Sequence, residues 1–129
     1  METDTSKKLQ AEEEKLYGMV RRFREDPEGS ARNKGRFNFS DPMISRALRI
    51  HRHLQALEKA ILEQKGRESV SLQLQPQSSQ VVISIRNPEV HCQRSAYLSL
   101  REFALLRQNR EVESVLRHCS SWDKVTRCS

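Results

Sequence analysis

The feature that most narrows what this chain can fold into is a pair of alternating segments joined by a short polar loop. Val70-Ser71-Leu72-Gln73-Leu74-Gln75 puts an apolar residue at every second position, so Val70, Leu72 and Leu74 share one face of a strand. Val81-Val82-Ile83-Ser84-Ile85-Arg86 repeats the pattern with β-branched residues, directing Val81, Ile83 and Ile85 inward and Val82, Ser84 and Arg86 outward. With the polar residues 76–80 between them, the two read as a hairpin. Asn87-Pro88 ends the second strand, because proline cannot donate to a ladder. Tyr97-Leu98-Ser99-Leu100 has the length of one more short strand. Ser99 and Glu102 then stand at capping-box spacing ahead of a helix carrying Phe103, Leu105, Leu106, Val112, Val115 and Leu116. Residues 67–119 are therefore expected to form a small antiparallel sheet covered by a helix.

Upstream the pattern changes period. Residues 6–25 are dense in charge, with Leu9, Leu16, Met19, Val20 and Phe23 at the spacings of a weakly amphipathic helix, and Gly18 in its middle costs about 1 kcal/mol relative to alanine. Asp26-Pro27-Glu28-Gly29 stops it. Residues 30–39 form a basic linker in which Arg32, Lys34 and Arg36 stand beside Phe37 and Phe39. Such a run suits either a nucleic-acid strand or a loop whose rings tuck under the next helix. The first 39 residues are expected to be partly disordered.

Ser40-Asp41-Pro42 starts a helix over residues 40–66 that Gly66 stops. Met43, Ala47, Ile50, Leu54, Leu57 and Ile61 recur at alternating spacings of four and three, the seam spacing of a coiled coil, and Ile44, Leu48 and Leu62 widen the stripe. That face must be buried, either within the monomer or against a second copy. His51 and His53 point to different sides of the helix and are expected at its surface. Residues 120–129 form a tail in which Trp122 and Val125 offer at most one turn against the body.

With 129 residues, of which 36% are hydrophobic, the core is expected to be small. Twenty-three Lys and Arg against 17 Asp and Glu give a net charge of +6, which favours polyanionic partners. No apolar run approaches the length of a signal core or a membrane span, so no membrane association and an intracellular site, nuclear or cytoplasmic, are expected. Three cysteines argue for reduced thiols. His91-Cys92 and His118-Cys119, with Cys128, hold zinc-type donors but no C-x-x-C knuckle, and no phosphate loop or nucleophile motif occurs. No metal, cofactor or catalytic site is predicted. Arg67, Arg86, Arg94 and Arg101 flank the strands or sit on their outward side, beside a polar sheet face of Ser71, Gln73, Val82, Ser84 and Arg86. A single strand can lie there, phosphates on the arginines and bases on Tyr97 or Phe103.

Ile85-Arg86 at a strand end, Leu98-Ser99-Leu100 in the next strand, Glu102-Phe103 at a helix start, and Leu106, Val112, Val115 and Leu116 along that helix form a recurring order. On these residues, 68–118 resemble the carboxy-terminal domain of the positive cofactor 4 transcriptional coactivators. Ala96-Tyr97 stands where that family carries lysine-glycine, and the loop after Arg86 lacks its lysines and aromatics. The resemblance implies a homodimer that binds single-stranded DNA.

The expectation is thus an α+β protein: amino-terminal helices, then a small antiparallel sheet packed by a carboxy-terminal helix. Its expected role is non-enzymatic binding of nucleic acid, single-stranded DNA or RNA preferred, through Arg67, Arg86, Arg94, Tyr97 and Arg101. The alternative is an interaction adaptor that self-associates through the seam from Met43 to Ile61 and binds no nucleic acid.

Overall fold

Charged, glycine-interrupted sequence still forms a helix at the start of the chain: the computed structural model, which describes residues 2–26, 41–64, 69–87, 89 and 91–127, opens with α1, Glu2–Glu25. Next come α2 (Pro42–Glu63), β1 (Val70–Gln75), β2 (Gln80–Asn87), β3 (Cys92–Ser99), α3 (Leu100–Arg107), α4 (Arg110–Leu116) and α5 (Trp122–Arg127). The architecture is α+β, with a three-stranded antiparallel sheet in the order β1-β2-β3. The chain divides into two compact units, Met1–His53 and Leu54–Ser129, and the division falls inside α2. The basic linker over residues 30–39 lies outside the described residues. Among the described residues no helix is long and apolar enough to cross a membrane.

In the first unit, Leu16, Val20 and Phe23 are buried on α1 at helical spacings of four and three, while Leu9 stays exposed. Asp41 caps α2, its Oδ1 accepting the Met43 N–H at 2.9 Å, and Pro42 fills the first helical position. Ala47 is fully buried. The Phe23 ring lies 6.1 Å from that of His51, which is only 9% exposed. His51 was expected at the surface; it belongs to the apolar side of α2, where its ring packs as an aromatic surface.

In the second unit the expected hairpin forms, with Leu72 opposite Ile83 and Leu74 opposite Val81. Val81, Ile83 and Ile85 bury one sheet face together with Leu72, Ala96 and Leu98. Phe103, Leu105, Leu106, Val112 and Leu116 are the buried side of α3 and α4. β3 is longer than expected and begins at Cys92, whose partner is Asn87. Its first four residues are exposed on an edge strand, so no apolar alternation marks them. Leu100, expected in this strand, opens α3 instead.

The expected single helix after Ser99 is two. The capping box forms as read: Ser99 Oγ accepts the Glu102 N–H and Glu102 Oε1 accepts the Ser99 N–H, each at 3.1 Å. The break comes at Asn109, whose Oδ1 accepts the Glu111 and Val112 amides and so starts α4. A short amide side chain competes with the helix backbone for those donors, and Asn109 also donates from Nδ2 to Glu58 of α2.

The presumed tail at residues 120–129 carries α5, which packs on β1 and buries Val125 completely. Trp122 meets the Phe103 ring edge-on, centroids 6.5 Å apart, and the Arg107 guanidinium lies over both rings at 5.0 and 5.8 Å. Cys119 Sγ donates to the Val70 carbonyl at 3.3 Å, tying the end of α4 to β1, and burial pushes its thiol pKa up.

Candidate nucleic-acid interface

Because side chains alternate, the residues between the buried ones on each strand share the opposite face of the sheet. Register assigns them to cross-strand rows: Gln80 between Gln75 and Ser99, Val82 between Gln73 and Tyr97, Ser84 between Ser71 and Ser95, and Arg86 beside Gln93. The Ser84 and Ser95 hydroxyls are 3.3 Å apart. No carboxylate stands in these rows. The surface offers hydroxyls, amides, one ring and one guanidinium.

Tyr97 is 57% exposed, and with Leu9 it makes up the exposed large hydrophobics of the described residues. Val82 points outward as expected but is only 6% exposed, in a row with Gln73 and Tyr97. The centre of the face is thus a small apolar floor with a ring beside it.

Arg86 and Tyr97 share this face, and the other expected contacts do not join them. Arg94 pairs with Ile85, which places it on the helix side of the sheet, although it is exposed. Arg101 is exposed in the first turn of α3, beyond Ser99, whereas Arg86 pairs with Gln93 at the other end of β3, roughly 20 Å away by strand rise. Phe103 is fully buried and cannot stack on a base. Arg67 lies outside the described residues.

The expected seam is used within the chain. Ala47, Leu54, Leu57 and Ile61 are all 0% exposed in a single copy, and Met43 and Ile50 are half-buried. Four of the six seam residues are thus core within one copy, and Met43 and Ile50 keep the surface that a second copy could cover.

His91 and Cys92 are exposed at the β2–β3 turn and His118 and Cys119 follow α4; among the described residues no three His, Cys, Asp or Glu side chains group as a metal site would need. Cys128 lies outside the described residues.

Sequence reasoning passed over the exposed surface of α2. Arg46, Arg49 and Arg52 are exposed, winding from the edge of the buried stripe, where Arg46 lines a pocket with Glu12, Glu13 and Asp41, to its far side, and none of the three forms an ion pair among the described residues. Their signal was a basic residue every third position, hidden by attention to the apolar stripe. Comparison with protein-family models, curated proteins and solved structures returns no match. The fold defines the class, an α+β protein, and the functional reading rests on its surfaces.

Proposed function

We propose that this chain binds single-stranded nucleic acid, DNA or RNA, on the open face of its sheet, without catalysing a reaction. The observation that carries this reading is the exposure of Tyr97 beside Val82 in cross-strand rows that hold no carboxylate among the described residues, with Arg86 on the same side. Every base has a π-face, so an exposed ring on an uncharged floor accepts bases of any sequence, and a guanidinium further along the strand meets a phosphate. Serine and glutamine rows supply donors and acceptors for sugar and base edges. The resemblance of residues 68–118 to single-stranded-DNA-binding coactivator domains points the same way, as does the +6 net charge.

The test is fluorescence anisotropy of a labelled ~20-nucleotide single strand titrated with the full chain. Tyr97→Ala should weaken binding about ten-fold, because one lost stack is worth about 1–3 kcal/mol, while Tyr97→Phe, which keeps the ring, should bind nearly as wild type. Equal affinity of wild type and Tyr97→Ala would remove the sheet face as the binding surface.

A further inference from the structure

The exposed surface of α2 carries a cation every third residue from Arg46 to Arg52, and several observations set this row apart from ordinary surface charge. All three side chains are exposed, and none forms an ion pair among the described residues. Where a carboxylate stands near cations they do pair, as where Glu113 meets Arg117 at 2.8 Å and Arg107 at 3.7 Å. Cations three residues apart are neighbours on a helix and repel one another. The row thus concentrates like charge along α2 and favours an anion at its surface.

The geometry points to a phosphodiester backbone as that anion: we infer that Arg46, Arg49 and Arg52 form a second nucleic-acid contact, carried by the first unit and separate from the sheet face. From Arg46 to Arg52 the helix rises about 9 Å, at 1.5 Å per residue. Three consecutive phosphates of a strand span two intervals, about 7 Å of rise at 3.4 Å each. The long arginine side chains can take up the difference of about 2 Å and reach phosphates of a strand that crosses the helix obliquely, and the planar fork of arginine suits phosphate oxygens in pairs. No base-reading group accompanies the row, so the contact is indifferent to sequence. The inference shares its ligand class with the proposed function but uses different residues, so each can fail alone.

The experiment is the same anisotropy titration with the full chain, run from low to moderate salt on wild type, the triple variant Arg46→Ala/Arg49→Ala/Arg52→Ala, the charge-preserving triple variant to Lys, and Tyr97→Ala. Three lost phosphate contacts should lower the slope of log affinity against log salt by about 2, since each contact contributes about 0.7 for a single strand. The alanine triple should therefore bind at least ten-fold more weakly at low salt, the lysine triple should keep the wild-type slope, and Tyr97→Ala should weaken binding without changing the slope. An alanine triple with wild-type affinity and slope overturns the inference, whatever Tyr97→Ala does. A neutral Tyr97→Ala beside a flattened slope in the alanine triple supports the arginine row and removes the sheet face. Failure of the wild type to bind nucleic acid, with row-dependent binding to phosphatidylserine vesicles instead, overturns the choice of ligand.

Discussion

Arg86 and Arg94 are both exposed and eight positions apart, yet one residue of register separates their fates. Arg86 pairs with Gln93 on the open face, and Arg94 pairs with Ile85, whose side chain is in the core. If the open face carries the ligand, Arg86→Ala should reduce affinity for a single strand and lower the salt slope by about 0.7, while Arg94→Ala should leave both at the wild-type value. Equal losses from the two variants in the anisotropy titration would mean that charge alone, and not this face, governs binding. A second residue-scale outcome concerns the thiols. Burial holds the Cys119 thiol in its protonated form, in which it donates to Val70, while Cys92 is exposed. A thiol reagent at mildly alkaline pH, followed by mass spectrometry, should label Cys92 before Cys119. Because the folded thiol keeps its proton to higher pH than the unfolded one, the contact's stabilisation is full below the ordinary thiol range. It is lost as pH rises through that range and past the folded value.

At the scale of single elements, what could be read in the sequence divides by distance along the chain. The capping box of α3 was legible because both partners lie within three residues, and the β1–β2 hairpin because each strand alternates within itself. The break between α3 and α4 was passed over although its cap is as local, Asn109 accepting from the amides two and three residues on; only its tie to Glu58, 51 residues away, lay beyond the sequence pattern. The start of β3 was hidden for a related reason: its exposed residues are strand because β2 offers them a ladder, and nothing in their own composition says so. Two substitutions follow. Asn109→Ala removes a cap and a tie to α2 together, and should cost about 1–2 kcal/mol in urea unfolding, more than an exposed alanine replacement such as Gln108→Ala. Gly18→Ala should raise stability by about 0.5–1 kcal/mol in the same measurement, since an added methyl group there meets nothing within 4 Å and the helix gains propensity. A loss of stability in Gly18→Ala would mean that α1 is not helical at that position.

For the molecule as a whole the decisive residues are those of the α2 stripe, because their burial separates a core from a docking seam. A chain that is 36% hydrophobic has little apolar surface to spare, and this one spends Leu54 and Leu57 entirely inside a single copy. Truncating a buried leucine costs about 2–5 kcal/mol, and a polar side chain in its place adds an unsatisfied group, whereas a small domain has only about 5–15 kcal/mol in total. Leu54→Gln with Leu57→Gln should therefore unfold the second unit. Trp122, the chain's one tryptophan, reports on it directly, since its ring lies against Phe103 and under the Arg107 guanidinium. The expected result is a red-shifted tryptophan emission and loss of the cooperative thermal transition. A seam between copies gives the opposite pattern: native emission, a retained transition and a sedimentation mass that falls. That second outcome would return the stripe to the role of an interface and shift attention from the sheet face and the arginine row to a protein partner.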